Sequence, residues 1–259
     1  MPKFSLIYFK MRALAETPQF MLNYANVPYS YEMAWDFFDA PWSEIKPSFL
    51  YNRLPALQIG GDKIIAQSGS IVRYLAKITN LIPSDDILAA EVDALFETSQ
   101  ELFFPLSPTV NFAIGEAFKE KKEKIIKDFE NRLAGLEREL TKYDHGPFFF
   151  GDEVYYGDFG VFHNIDLVRL LDGDLLKQYP LMSKFMENFE NLAGVSKYLN
   201  ARPKLIGVGT EPKLIINGVV KSTGIVDDWF CECFNMFKLD IFVLILIQFK
   251  KRLFGKKDA

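Results

Sequence analysis

Two places in the N-terminal third of the chain combine polar side chains with positions where ligands commonly bind. Tyr8 lies at the end of a β-prone alternating stretch, residues 3–9, just before a predicted helix, and ligands of α/β proteins favour this edge of a sheet. Gln67 and Ser68 precede another predicted helix, whose exposed N–H groups and dipole favour a carboxylate. The plainer interpretations are a tyrosine packed in the core and a simple helix cap, and such a cap is compatible with carboxylate binding.

The cysteine and histidine content argues against several other kinds of chemistry. The only cysteines, Cys231 and Cys233, are too close together for a disulfide framework, so thiol chemistry in residues 1–230 must use a thiol supplied by a ligand. The two histidines, His145 and His163, form no cluster of metal ligands and give little support to a histidine-dependent triad. We therefore expect no bound metal ion.

Length and composition indicate a soluble globular protein. The chain has 259 residues, of which 49% are hydrophobic and 25% are charged, enough for one large domain or two smaller ones. Its 25 phenylalanines predict an aromatic-rich core. The net charge of −4 argues against duplex nucleic acid as a partner, and the N-terminus lacks the pattern of a secretory signal.

The pattern of predicted elements changes near residue 84. Before it, strand and helix patterns follow in the order β-α-β-α-β-β-α, with a tight turn at residues 60–62 between the last two strands. After it, strand patterns disappear and long helical periodicities follow, at about 85–105, 116–142, 158–171 and 178–201. The sequence therefore predicts a small α/β domain over residues 1–80 and an all-helical domain over residues 84–206.

Four motifs of the N-terminal domain follow one another in a fixed order. They are Tyr8-Phe9-x-x-Arg12 with Ala15-Glu16, Trp42-x-x-x-Lys46, Leu54-Pro55-x-Leu57, and Gln67-Ser68-x-x-Ile71-x-Arg73-Tyr74-Leu75. In order and spacing they resemble the motifs of sigma-class glutathione S-transferases, a group that includes haematopoietic prostaglandin D synthase and many invertebrate enzymes. The resemblance covers residues 1 to about 206.

This resemblance implies a thioredoxin-like N-terminal domain followed by an all-α C-terminal domain. It also implies a cytoplasmic homodimer that conjugates glutathione to hydrophobic electrophiles, with glutathione as cosubstrate and no further cofactor. Two alternatives remain open, namely a glutathione-dependent prostaglandin-type isomerase and a non-catalytic protein that binds glutathione or hydrophobic ligands.

By the same resemblance, Tyr8 activates the glutathione thiol. Such a thiol has a pKa of about 8.5, so little of it is the nucleophilic thiolate at neutral pH. A hydroxyl donor aimed at the sulfur lowers that pKa. Leu14 stands where many members have an arginine that supports the tyrosine–thiolate pair. We therefore expect a less acidic bound thiol and weaker turnover than in members with that arginine.

The resemblance also implies contacts for the other parts of the tripeptide. A cis peptide bond before Pro55 would let the Leu54 backbone pair with the cysteinyl portion. Gln67 and Ser68 would hold the γ-glutamyl end. The glycyl end would be held by three residues: Trp42, Lys46 and Arg53. The alternative for these three is an ordinary solvated surface. Either of the last two would pair with the glycyl carboxylate.

Two acidic residues of the helical domain also match the family pattern. Glu101 resembles an acid at the dimer interface that reaches the ligand amine in the partner subunit, although the family usually has aspartate there. The alternative for Glu101 is an ordinary charged helix face. Asp158 resembles a structural aspartate near the start of a core helix. We interpret it as a folding element whose reciprocal cap is incomplete, because Tyr155 replaces the expected serine or threonine.

Residues 207–259 form an extension beyond the resemblance. Its apolar run at 241–247 is far short of the roughly 20 residues that span a bilayer. Three interpretations remain open. The extension lies at a membrane surface through its apolar run and basic end, it packs on the helical domain, or it is disordered or the product of a mis-joined gene model, the last being slightly favoured.

Overall fold

A four-stranded mixed sheet forms the first part of the fold. The computed structural model describes residues 3–143 and 146–227. The strands are β1 (Phe4–Tyr8), β2 (Tyr29–Met33), β3 (Ala56–Ile59) and β4 (Lys63–Ala66). Their order is β2-β1-β3-β4, with β1 and β2 parallel and the other neighbours antiparallel. All five residues of β1 are buried, so this strand lies at the centre of the domain.

Helices connect these strands and cover the sheet. They are α1 (Glu16–Tyr24), α2 (Ala34–Phe38), α3 (Trp42–Ile45) and α4 (Ser68–Ile78). Two 3₁₀ turns, Lys46–Ser48 and Leu50–Asn52, complete the long connection from β2 to β3. In α4 the buried residues recur at helical spacing, which directs one face of this helix to the core.

The second part of the fold is helical. Its helices are α5 (Asp86–Phe112), α6 (Gly115–Glu139), α7 (Tyr156–Val168), α8 (Pro180–Glu190) and α9 (Ala193–Ala201). Every residue of α7 is buried, and Phe162 of this helix stacks on Phe189 with ring centroids 4.4 Å apart. The predicted aromatic core is therefore confirmed. A glycine at position 160 allows α7 to approach α5 closely, because a Cβ there would collide with Ser99 Oγ.

Asp158 holds the start of α7. Its carboxylate accepts hydrogen bonds from the backbone N–H groups of Phe149 (3.0 Å) and Tyr155 (2.9 Å). The Asp158 N–H in turn donates to the backbone carbonyl of Tyr155 at 3.0 Å, so a main-chain oxygen takes the place of the missing hydroxyl. Burial raises the pKa of Asp158 to about 7, although the backbone N–H donors lower it.

The described part of the extension contains a second sheet. It consists of β5 (Lys204–Ile206), β6 (Lys213–Ile216) and β7 (Val219–Ser222), all antiparallel in the order β5-β6-β7. The expectation that strand patterns end near residue 84 is therefore wrong for residues 204–222. The signal that the sequence contains here is Asn217-Gly218, since both residues adopt positive φ (50° and 80°) as a tight hairpin requires.

The extension contacts both parts of the fold. Gly224 N donates to Lys10 O (2.9 Å), and Thr223 Oγ1 donates to Asn111 O (2.6 Å). Gly209 accepts a hydrogen bond from Gly115 N at 3.0 Å. Over residues 207–225 the extension is therefore packed on the protein, which agrees with the second of the three interpretations for this segment. The apolar run at 241–247 lies outside the described residues.

No helix of the described ranges is long and apolar enough to cross a membrane.

Candidate functional site

Tyr8 and the Leu54–Pro55 bond meet at one edge of the sheet. β1 ends at Tyr8, and its antiparallel pairing with β3 ends where Ile7 lies opposite Ala56. The two residues before Ala56 therefore lie beside the end of β1. The Leu54–Pro55 peptide bond is cis, as the resemblance implies. Leu54 thus lies two residues before the paired part of β3, next to the end of β1 at the edge of the sheet.

The start of α4 lies at the same edge. Ala66 at the end of β4 is paired with Ala56 at the start of β3, and the chain passes directly from Ala66 through Gln67 into α4. Gln67 has a φ of 74°, which is uncommon for a residue other than glycine. Strained backbone of this kind is concentrated at ligand sites. Ser68 is half-buried and is the first residue of the helix.

The environment of Tyr8 keeps its hydroxyl protonated. Its side chain is 5% exposed, and its ring contacts that of Phe9 at a centroid distance of 5.2 Å. Burial raises the pKa of Tyr8 well above its usual value, while a backbone hydrogen bond from Leu14 lowers it. At neutral pH the Tyr8 hydroxyl is therefore a hydrogen-bond donor and not a base.

The predicted glycyl-end residues occur in the connection between β2 and β3. Lys46 and Arg53 are exposed, whereas Trp42 is 9% exposed and packs edge-on against Phe9 (5.7 Å) and Phe49 (5.9 Å). The alternative of a solvated surface is therefore wrong for Trp42, which is part of the aromatic core. The cationic groups of Lys46 and Arg53 remain accessible to a carboxylate from solvent.

Glu101 lies apart, on an exposed face of α5. Its Oε2 is 3.3 Å from Arg132 Nη1, and 70% of its side chain is exposed. On the same helix, Asp93 pairs with Arg73 of α4 at 2.8 Å, and Glu97 pairs with the same arginine. Within one subunit Glu101 thus belongs to a charged helix face and is paired with Arg132.

A small cavity adjoins the site between the two parts of the fold. Its volume is about 10 Å³. The N-terminal domain contributes Leu14 and Ser68 to its lining, and the helical domain contributes Gln100 and His163. The remaining lining residues are Thr17, Val72, Phe96 and Phe103. The side chain of Leu14 therefore faces this cavity.

The sequence does not indicate a role for His163 in the site. This residue is 2% exposed, and neither ring nitrogen has a hydrogen-bond partner among the residues that the structure describes. Burial lowers the pKa of His163 to about 4, so the ring is neutral at physiological pH. Polarity alone does not single it out, because Asp158, Asn164 and Asp166 of the same helix are also polar and buried.

A larger cleft of about 220 Å³ lies beside the loop after β1. The loop contributes Lys10 and Arg12, and strand β6 of the extension contributes Leu214 and Ile216. The Arg12 guanidinium donates to Pro203 O at 2.7 Å. The extension thus forms one wall of this cleft, which Phe9, the first residue after β1, also lines.

Comparison with known proteins gives consistent matches over both parts of the fold. The sequence model for the glutathione S-transferase N-terminal domain matches residues 4–77, and the model for the glutathione S-transferase C-terminal domain matches residues 106–202. Glutathione S-transferase P of Caenorhabditis elegans is 28% identical over 200 residues, which cover 76% of this chain and 92% of the relative.

Two further matches agree with these. The haematopoietic prostaglandin D synthase of Gallus gallus is 29% identical over 208 residues, covering 79% of this chain and 98% of the relative. The structure of the Onchocerca volvulus Pi-class glutathione S-transferase superposes with a TM-score of 0.68 at 27% identity, covering 77% of this chain and 93% of that one. With its thioredoxin-like domain followed by a helical domain, the chain belongs to the glutathione S-transferase family of enzymes.

Proposed function

We propose that this protein binds glutathione at the sheet edge and transfers its thiol to hydrophobic electrophiles, with Tyr8 stabilising the thiolate. One observation carries the proposal. The end of β1 at Tyr8, the backbone beside a cis proline and the N-terminus of α4 lie at a single edge of the sheet. Tyr8 supplies a donor for a sulfur, the backbone beside the cis proline supplies a strand edge for a peptide, and the start of α4 supplies a site for a carboxylate. Glutathione contains a thiol, a peptide backbone and carboxylates, so it can use all three.

The chemistry follows from the protonation state of Tyr8. Its O–H donates to the sulfur and favours the thiolate over the thiol, while the thiol proton leaves to solvent. A hydrogen bond to a charged group contributes about 1.5–3 kcal/mol, which corresponds to a fall of roughly one to two units in the thiol pKa. From a starting pKa of about 8.5, the thiolate fraction at pH 7 rises from roughly 3% to between roughly a quarter and four fifths.

The remaining contacts follow the order of the tripeptide. The Leu54 backbone pairs with the cysteinyl portion, and Ser68 with Gln67 binds the γ-glutamyl carboxylate at the positive end of α4. Lys46 or Arg53 pairs with the glycyl carboxylate. Three further contacts belong to the same proposal: Trp42 at the glycyl end, Pro55 beside the cysteinyl portion, and Glu101 toward the ligand amine of a partner subunit.

The finer assignments are also proposals. We infer a sigma-class homodimer in the cytoplasm that needs glutathione as cosubstrate and no further cofactor. The similarity to prostaglandin D synthases supports sigma class, whereas other relatives of similar identity are named as P or Pi-class transferases. Glu101 on an exposed face of α5 is compatible with a role across a subunit interface.

Two alternative functions each have a specific observation in their favour. The relatives named prostaglandin D synthase favour a glutathione-dependent isomerase, which would share the thiol site and differ in the second pocket. Leu14 favours a binding protein with little turnover, because its side chain supplies neither a charge nor a hydrogen bond beside Tyr8.

The decisive experiment combines glutathione affinity chromatography with a conjugation assay on a generic aryl halide. In Tyr8→Phe, which removes only the hydroxyl, we expect retention on the column and a loss of about 10- to 100-fold in kcat/KM. Tyr31→Phe is the matched control, because it removes a hydroxyl of the neighbouring strand β2 that donates to the Phe9 carbonyl at 2.7 Å. We expect the control to keep its activity.

Each result separates the hypotheses. Retention with turnover that depends on Tyr8 supports the transferase, and retention without turnover supports the binding protein. Full turnover of Tyr8→Phe would contradict the assigned role of the phenol.

A further inference from the structure

His163 has polar atoms that the rest of the fold does not satisfy. Its imidazole lies on α7, is 2% exposed, and offers one donor and one acceptor nitrogen, neither of which meets a protein partner within the described ranges. Leaving such groups unpaired in the interior costs free energy, so buried polar atoms almost always have a partner in the protein or in ordered water. This histidine therefore needs a hydrogen-bond partner other than the protein residues that the structure describes, such as an ordered water.

The cavity beside His163 has the size and polarity for one water molecule. Its volume of about 10 Å³ is close to the smallest space that holds one water. A buried water needs two to four polar partners. Besides His163, the lining supplies two hydroxyls and one amide, those of Ser68, Thr17 and Gln100.

Ser68 connects this cavity to the proposed glutathione site. It is the first residue of α4, and under the proposed function, on which this inference rests, its hydroxyl donates to the γ-glutamyl carboxylate. A hydroxyl that donates in one direction can still accept in another. When it accepts from a water on its inner side, its own donation is strengthened and its rotamer is fixed.

We infer that one water molecule in this cavity links His163 to Ser68, so that His163 acts as a positioning residue for the γ-glutamyl subsite. The helical domain thereby takes part in binding the tripeptide through a residue that never touches it. The linkage acts on glutathione binding and leaves the chemistry at Tyr8 unchanged. It therefore predicts an effect on the affinity for glutathione and little effect on kcat.

The test replaces His163 in the full-length protein and measures the Kd of glutathione by calorimetry. His163→Leu keeps a similar volume and removes both nitrogens, so we expect the Kd to rise about three- to tenfold, as for the loss of one hydrogen bond. At saturating glutathione, kcat and the KM of the aryl halide stay within about twofold. His163→Gln restores a donor and an acceptor and should return the Kd toward that of the wild type.

Thermal unfolding distinguishes this role from a merely structural one. Because the water already satisfies the imidazole, its replacement by a side chain of similar volume should leave the Tm of His163→Leu close to that of the wild type, so that a raised Kd does not reflect loss of folded protein. An unchanged Kd in His163→Leu would overturn the inference, as would a His163→Gln variant that binds no better than the leucine variant. A crystal structure with glutathione should show a water within hydrogen-bond distance of both side chains, and its absence there would also overturn it. Failure of the wild type to bind glutathione would instead refute the proposed function itself.

Discussion

Replacing Leu14 by arginine tests how the site is adapted to the lack of a charge beside Tyr8. The Leu14 backbone forms a hydrogen bond with the Tyr8 oxygen, and its half-buried side chain lines the cavity of about 10 Å³. A guanidinium placed there would meet the neutral ring of His163 and the amide of Gln100. None of the residues that line this cavity carries a carboxylate.

The cost of the single substitution follows from this environment. A buried charge without a partner costs about 3–5 kcal/mol, and because Leu14 is only half-buried we expect the lower end, about 3 kcal/mol. For a domain of this size each kcal/mol lowers Tm by roughly 2–4 °C, so Leu14→Arg alone should unfold roughly 6–12 °C below the wild type. An arginine at position 14 should therefore destabilise the protein unless a second substitution supplies a partner for its charge.

A second substitution supplies the missing partner. Gln100→Glu changes an amide to a carboxylate of the same shape, on the opposite side of the same cavity. In a double-mutant cycle with Leu14→Arg we expect a favourable coupling of about 1.5–3 kcal/mol. The paired guanidinium then lies beside the Tyr8 oxygen. The pKa of the bound glutathione thiol should fall by about one unit, equivalent to about 1.4 kcal/mol.

The assay compares the wild type, both single variants and the double variant. Chemical unfolding gives the coupling free energy, and the ultraviolet absorbance of the thiolate in a pH titration gives the pKa of the bound thiol. If Leu14→Arg alone were as stable as the wild type, the side chain at position 14 would not face this cavity without charged lining residues. If the two substitutions showed favourable coupling but the thiol pKa stayed unchanged, the charge at position 14 would have no effect on the bound thiolate.

Two further predictions concern stability. The pKa of His163 falls from 6.5 in the unfolded chain to about 4 in the fold, so the unfolded state takes up the proton first and stability is lost as pH falls from about 6.5 to 4. The loss is roughly 3 kcal/mol and should be absent in His163→Gln, as urea unfolding across that range would show. In the extension, Gly209→Ala and Gly218→Ala both force alanine into positive φ (82° and 80°). A Cβ at position 209 would lie 2.6 Å from the Phe118 ring, whereas a Cβ at position 218 would have no described atom within 4 Å. We expect a loss of about 1 kcal/mol at position 218 and about 2–3 kcal/mol at position 209, and equal losses would contradict the packing of the extension on α6.

The order of the elements and the convergence at the sheet edge follow from local sequence patterns. The cis bond before Pro55 and the helix that begins at Ser68 each belong to a short motif that the resemblance interprets directly. Their meeting with Tyr8 needs only the hairpin of β3 and β4 and one antiparallel pairing with β1. A motif that lies within one turn or strand end is readable because its geometry is fixed by its neighbours in sequence.

The burial of side chains in the long connection from β2 to β3 was harder to predict. Trp42 occurs in an irregular, polar stretch, yet its ring packs against Phe9 and Phe49. Periodicity gives no information there, because α3 is one turn long and two 3₁₀ turns follow it. The extension shows the opposite case, since Asn217-Gly218 between β-branched residues is a strong hairpin signal even though the sequence around it lacks a family match.

The cavity that joins Leu14, Ser68 and His163 could not be derived from any one segment. Its lining comes from the loop after β1, the start of α4 and two helices of the second domain, so it exists only once the two domains are packed together. A lone histidine in a sequence is compatible with a surface, a core or a ligand site. What decides its meaning here is that both nitrogens are buried with no protein partner in the described ranges, beside a cavity that Leu14 and Ser68 also line. Burial keeps the His163 imidazole neutral and Leu14 carries no charge, so the lining of this cavity contains hydroxyl, amide and imidazole groups but no charged side chain.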